Sequence, residues 1–194
     1  MLQNNMKFYQ EITLIPSQEI NKNFLMGKIF CSLHHLFVKN QIDGVINVGI
    51  SFPEYDLKNK TLGTKIRLFF NSNEASEKIN LKEFLKVYED YIHITNLRET
   101  PSNVKYAIFK RVQKKGNKYR LARRYSKRKN VSYKEAIALY DKYDQKMCIL
   151  PYIKLKSSSN GSKYNIFIER IDSEKPGCNF NLFGLSINSG VPIF

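Results

Sequence analysis

The chain has 194 residues, 42% of them hydrophobic, and a net charge of +15 from 32 Lys and Arg against 17 Asp and Glu. This length allows one large domain or two small ones, and the apolar content is enough for a core, which excludes a globally disordered chain. No apolar run approaches the roughly 20 residues that span a bilayer. Three cysteines (Cys31, Cys148 and Cys178) without CxxC spacing argue against a disulfide scaffold or a zinc site. A reduced, cytoplasmic setting is expected.

The N-terminal run MLQNNMKFYQEITLIP lacks the charged start and long apolar stretch of a signal peptide. Met6 reads as an alternative start, which leaves residues 1–5 as an upstream extension. Residues 8–16 alternate loosely and stop at Pro16, predicting a strand. Residues 18–39 repeat apolar side chains at helical spacing, with Ser17 as the expected N-cap. Strands are predicted over 45–52 and 62–70, a short amphipathic helix over 81–90, and a fourth strand over 91–97. This β-α-β-β-α-β order is that of a ferredoxin-like domain, an RRM-like arrangement used by many RNA-binding proteins.

Composition changes near residue 100, where Thr100-Pro101-Ser102-Asn103 is turn chemistry, and the domain boundary is placed there. Residues 105–113 read as an extended arm and 117–129 as a helix. Ser132-Tyr-Lys-Glu135 is a capping-box pattern opening a second helix to about residue 145. Strands are expected over 149–155, 163–170 and 179–185, giving an α+β chain with domains 1–99 and 100–194.

From Thr100 to Lys134 there are thirteen Lys or Arg and no Asp or Glu, so most of the net charge sits in one segment. Arg120, Arg123, Arg124, Lys127 and Arg128 fall at i, i+3, i+4, i+7 and i+8, one stripe along a helix. Neighbouring like charges repel, and a phosphate backbone removes that cost. Arginine adds planar, two-pronged donors suited to phosphate and to guanine edges. A membrane-surface helix needs a broad apolar face, which Leu121, Ala122 and Tyr125 do not supply, so nucleic acid is the favoured partner and a membrane is not.

The histidines are His34 and His35, adjacent in the first helix, and His93, which reads as structural. Adjacent helical residues point about 100° apart, so one of the pair faces any given site. Ser157-Ser158-Ser159-Asn160-Gly161 reads as a hairpin loop. No phosphate-binding glycine loop, GxSxG or acidic cluster with metal-ligand spacing stands out. Any RNA cleavage is therefore expected to run on His and Ser, with no metal or cofactor.

Four stretches together resemble the type I-F CRISPR repeat-processing endoribonucleases, the Cas-six family of that system. VGISFPEYDLKNKTLGTKIRL (48–68) looks like the family's G-[IV]-S-F-P segment with its L-G-x-x-[IL]-R. KRVQKKGNKYRLARRYSKRKNVS (110–132) is similar to its R-x-Q arm and arginine-rich helix. LPYIKLKSSSNGSKYNIFI (150–168) resembles its strand, serine loop and strand, and FGLSINSGVPIF (183–194) its C-terminal tail.

The resemblance implies an N-terminal ferredoxin-like domain and a C-terminal domain bearing the arginine helix. It implies binding of the CRISPR repeat stem-loop and cleavage at the 3′ base of the stem by 2′-OH attack. A 2′,3′-cyclic phosphate and a 5′-hydroxyl would result, without a metal. The product would be retained within a surveillance complex of further subunits. Carried over, the catalytic histidine falls on His34, with His35 as runner-up, and the active-site serine on Ser157, with Ser159 as the loop's second serine. Arg111 and Gln113 fall on the base-contacting R-x-Q positions, Arg123, Arg124, Lys127 and Arg128 on the arginine helix, and Tyr164 on a stacking aromatic. Two departures stand out. Phe183 replaces the family's tyrosine and lacks its hydroxyl, and Lys127 keeps charge but loses two-pronged geometry. The alternatives are a non-cleaving subunit that holds guide RNA and a general architectural RNA-binding protein.

Overall fold

A computed structural model describes residues 6–44, 46–113, 116–143, 148–157, 160–186 and 188–194. The chain is mixed α+β and forms two compact units, one of residues 1–112 with 150–194 and one of residues 113–149. Among the described residues no helix is long and apolar enough to cross a membrane.

In the larger unit, β1 (Phe8–Leu14), β2 (Val48–Ser51), β3 (Lys65–Phe70) and β4 (Ile92–Ile94) form an antiparallel sheet in the order β2-β3-β1-β4. The short β5 (Arg98–Glu99) pairs beside β1. The core-facing positions alternate, as a strand's period of two requires: Ile12, Leu14, Ile66 and Leu68 are buried. Helix α1 (Lys22–Lys39) begins later than its apolar spacing suggests. Its N-cap is Asn21, whose side chain accepts from Asn23 N–H, while Ser17 accepts from Glu19 N–H and closes a preceding turn instead.

The helix expected over residues 81–90 is broken in two and preceded by a further helix, so three short pieces stand there. These are α2 (Asn73–Ile79), capped by Ser72, α3 (Leu81–Phe84), and a 3-10 turn over Lys86–Tyr88. Asn80 sits between the first two with φ 40°, the left-handed conformation that asparagine tolerates and that ends a helix.

The second sheet, in the same unit, has the order β7-β8-β6-β9, from β6 (Lys105–Val112), β7 (Tyr152–Lys156), β8 (Lys163–Ser173) and β9 (Val191–Ile193). The expected arm at 105–113 is thus an interior strand, hydrogen-bonded to β8 on one side and β9 on the other. The expected boundary at residue 100 marks the passage from one sheet to the other. Residues 179–185 are not a strand. Gly184 N–H donates to Asn181 C=O at 2.8 Å and Asn181 N–H to Leu185 C=O at 2.9 Å, so the chain turns back on itself.

One core joins the two sheets. Phe109 of β6 meets Phe52 edge-on at 5.7 Å between ring centroids, and Tyr55 Oη donates to Ile168 C=O of β8 at 3.2 Å. Helix α1 lies against β7 so closely that a Cβ added at Gly27 would stand 2.5 Å from the Lys154 carbonyl oxygen.

Glu11 and Arg67 are register partners on β1 and β3, and both are buried. Arg67 Nη2 and Nε donate to Glu11 Oε2 at 2.8 and 3.1 Å, and Lys65 Nζ lies 3.2 Å from Oε1. Arg67 Nη1 donates to the Phe194 carbonyl at 2.9 Å, and its guanidinium lies 4.0 Å from the centre of the Phe194 ring.

The smaller unit holds α4 (Lys118–Lys129), capped by Asn117, and α5 (Tyr133–Ala138), opened by the expected capping box of Ser132 and Glu135. Helix α5 stops at Ala138, well short of residue 145, which lies outside the described residues. The two helices bury Ala122 and Ala136, and Tyr125 meets Tyr140 edge-on at 6.3 Å.

Two packing predictions follow from these contacts. Burial pushes the Glu11 carboxyl up, but the hydrogen bonds and charges of Arg67 and Lys65 outweigh it and leave its pKa below the ordinary value. Such a group contributes stability in full above the ordinary carboxylate range and loses it as pH falls through the lowered pKa. Glu11→Ala should cost about 3–5 kcal/mol at neutral pH, because Arg67 is left buried and uncompensated. Urea unfolding at pH 7 and at about pH 3 should show the gap to wild type narrowing in acid. An equal gap at both would mean that Glu11 acts by packing alone. At Gly27, alanine would gain about 1 kcal/mol in helix propensity. Its Cβ meets backbone that no rotamer change can clear, at a cost of about 1–3 kcal/mol. Gly27→Ala should therefore lower the melting temperature, and an unchanged or raised value would show that the α1–β7 approach is not tight.

Candidate active site and basic helix

Helix α1 places Leu33 in the core and leaves the next residue, His34, half-buried at its edge. His34 Nδ1 lies 2.7 Å from the carbonyl oxygen of Leu182. A carbonyl only accepts, so the proton of this bond sits on Nδ1, and the neutral ring keeps its lone pair on Nε2. The imidazole face is covered by Phe183, with centroids 4.0 Å apart and planes within 10°. Phe30, one turn earlier on α1, stacks on Phe183 at 5.9 Å, also within 10°. From β6, the Arg111 guanidinium lies 5.5 Å from the centre of the Phe183 ring. Three of the expected residues, His34, Phe183 and Arg111, are therefore brought into one stack.

His35 is exposed, its ring tilted 37° to that of His34 and 6.0 Å from it. The two rings diverge as adjacent helical positions must. His93 is exposed on β4. Ser157 directly follows β7, the strand against which α1 packs. Its N–H donates to Ser162 C=O at 2.8 Å and its C=O accepts from Gly161 N–H at 2.9 Å, closing the expected hairpin loop. Gly161 takes a φ of +66° there, a conformation that favours glycine. Ser159 lies outside the described residues. Tyr164 is half-buried on β8, opposite Leu155, and packs on the core.

In the smaller unit, Arg120, Arg123, Arg124, Lys127 and Arg128 are all exposed along α4, and Gln113 is exposed as well. Among the described residues, the ion pair on this helix is Lys118–Asp141 at 3.9 Å, and none of the five stripe residues takes part in one. Lys127, Arg128 and Lys129 occupy the last turn, where the helix dipole favours cations.

Sequence reasoning missed the carbonyl of Leu182, because a strand was expected there. The signal was present in Asn181-Leu-Phe-Gly184, which has turn residues at both ends.

The sequence matches the family model described as CRISPR-associated protein (Cas_Csy4) over residues 9–194. It is 28% identical over 193 residues to the CRISPR-associated endonuclease Cas6/Csy4 of Pseudomonas aeruginosa (strain UCBPP-PA14), an alignment covering 97% of this chain and 100% of the relative. It is also 28% identical over 191 residues to the protein of the same name from Escherichia coli (strain UTI89 / UPEC), covering 97% and 100%. The chain belongs to the Cas_Csy4 family of CRISPR-associated proteins, the type I-F Cas-six family whose motifs it carries.

Proposed function

We propose that this protein is a cytoplasmic endoribonuclease that binds the stem-loop of a CRISPR repeat and cuts precursor guide RNA at the 3′ base of the stem. It then keeps the product as a subunit of a type I-F surveillance complex. The observation that carries this is the stacked, hydrogen-bonded His34, whose Nδ1 faces the Leu182 carbonyl, so that the neutral form of the ring would offer its lone pair at Nε2. The strand order β4-β1-β3-β2 supports reading residues 1–99 as a ferredoxin-like domain, with residues 100–194 as the second domain.

In this mechanism Nε2 of His34 removes the proton from the ribose 2′-OH beside the scissile phosphate. The 2′-oxygen attacks phosphorus, the P–O5′ bond breaks, and the leaving 5′-oxygen takes a proton from water while the imidazolium returns its own to solvent, giving a 2′,3′-cyclic phosphate and a 5′-hydroxyl. General-base action of this kind contributes roughly 10²–10⁴ in rate. Ser157 holds the 2′-OH or a phosphate oxygen in line, with Ser159 as support, and alignment supplies much of the remaining acceleration. The nucleophile belongs to the RNA, so the step as written needs no metal. Arg111 and Gln113 read base edges low in the stem, and Tyr164 stacks on an unpaired base. The α4 stripe takes the phosphates. The A-form major groove is too deep and narrow for side chains except where a stem is short and open-ended, which a hairpin provides.

An end-labelled type I-F repeat hairpin in excess EDTA, beside a copy with 2′-deoxy at the scissile position, tests the reaction. One cut in the first and none in the second is expected. Tight binding with no cut in either would leave a guide-holding subunit without chemistry. His34→Ala should lower the cleavage rate by roughly 10²–10⁴ and leave hairpin affinity unchanged. Loss of both would make His34 structural. Arg124→Ala should weaken binding and reduce the slope of log affinity against log salt by about 1. An unchanged slope would remove that residue from the interface.

A further inference from the structure

His34 does not hold its tautomer alone. The Leu182 carbonyl that fixes Nδ1 and the Phe183 ring that covers the imidazole are the two central residues of one turn, closed by Gly184 N–H donating to Asn181 C=O at 2.8 Å. The side chain of Asn181 ties this turn from within. Its Oδ1 accepts from Phe183 N–H at 2.9 Å and from Leu185 N–H at 3.3 Å. Both ends of the segment carrying the Leu182 carbonyl and the Phe183 ring are thus fastened to one amide oxygen, as asparagine does when it mimics a backbone turn. The turn is itself anchored: Ile50 N–H donates to Gly184 C=O at 2.8 Å, and Leu185 and Ser186 are buried.

We infer that Asn181 is a positioning residue for the reaction, acting through the Leu182 carbonyl to hold His34 with its proton on Nδ1 and its lone pair on Nε2. It touches neither substrate nor the reacting atoms. Without its oxygen, two buried-edge N–H groups lose their acceptor and the Leu182–Phe183 segment can rotate. The Nδ1 acceptor is then withdrawn, and the ring exchanges between tautomers. The wrong tautomer has its proton on the nitrogen that must accept one, so the population of competent enzyme falls while the RNA-binding surface is untouched. The role in catalysis rests on the reading of His34 as the base, but the tautomer itself can be measured without RNA.

The test compares wild type with Asn181→Ala, which removes the acceptor, and with Asn181→Asp, which keeps an oxygen in the same place. Full-length protein labelled with ¹⁵N-histidine reports which imidazole nitrogen carries the proton, and single-turnover cleavage and hairpin affinity are measured on the same preparations. Wild type should show His34 protonated on Nδ1. In Asn181→Ala that signature should be lost and the cleavage rate should fall roughly ten- to a hundredfold, with hairpin affinity within about twofold of wild type. Asn181→Asp should restore both signature and rate. Should the alanine variant fail to fold, Asn181→Ser, with its shorter reach, gives the same comparison in milder form. Persistence of the Nδ1 proton without the Asn181 oxygen would overturn the proposal, as would rate and affinity falling together or a failure of Asn181→Asp to rescue. If wild type cuts no repeat hairpin, the endonuclease reading fails on that result, and the spectra alone decide whether Asn181 sets the tautomer.

Discussion

The hydrogen bond from His34 to the Leu182 carbonyl joins residues 148 positions apart, and it forms because both sheets share one core. Helix α1 hangs His34 at its edge only if its apolar face is seated, and that seat is made of residues from the whole larger unit. Leu33, Phe30 and Phe37 are buried with Phe52 of the first sheet's neighbourhood and with Phe109, Ile153 and Leu155 of the second. The turn carrying Leu182 is seated with equal closeness. Gly184 has a φ of +69°, and a Cβ there would stand 2.7 Å from Ile50 and 3.0 Å from Phe37. Any other residue would lift the turn away from β2 and α1 together, and the carbonyl with it. An imidazole's tautomer is therefore set by packing accumulated over most of the chain.

Charge is handled oppositely in the two units. In the larger, Glu11 and Arg67 satisfy one another across β1 and β3, with Lys65 and the Phe194 carbonyl taking what remains. On α4, the (i, i+3) and (i, i+4) pairs among the stripe residues each cost about 0.2–0.5 kcal/mol as like charges. A caps-and-packing helix tolerates that sum: Asn117 caps its start, the last-turn cations meet the dipole, Ala122 is buried where α4 packs on α5, and Tyr125 meets Tyr140 just beyond α5. An uncompensated field of this kind suits a polyanion, since a chain of phosphates would convert each repulsion into an attraction and release counterions.

Several local signals were legible. The capping box of Ser132 and Glu135 announced α5, a helix was expected over 117–129 and strands over 8–16 and 62–70, and the run from Ser157 to Gly161 marked the hairpin. Pairing was not legible. Residues 105–113 read as an extended arm, yet the alternate residues Ala107 and Phe109 are buried and the backbone of Lys105–Val112 is paired on both sides. Helix α2 was hidden by its polar sequence, NEASEKI, in which Ile79 is the one large apolar residue. Among the site residues, His34 and Phe183 were each found through family motifs, but neither motif says that one ring lies on the other. Sequence separation hides contacts that only a common core creates.

Phe183 is where the chemistry and the packing can be told apart. Relative to a tyrosine, it lacks an O–H and keeps a ring. The ring lies flat on His34 at 4.0 Å, sandwiched toward Phe30 and faced by Arg111, and all of these contacts use its face. A hydroxyl at the ring's far edge is not in any of them. Aromatic contacts of this kind are worth about 0.5–1.5 kcal/mol each beyond the area they bury, enough to favour one imidazole orientation severalfold. A side-chain proton relay through this position is therefore closed in this chain, while the stacking of its ring on His34 is kept. On the proposed mechanism, proton transfer then falls to the imidazole alone, and its competence depends on Nδ1 being occupied. If His34 is the base, catalysis comes to depend on a backbone carbonyl, a group that no substitution at position 182 removes, and on what holds that carbonyl in place.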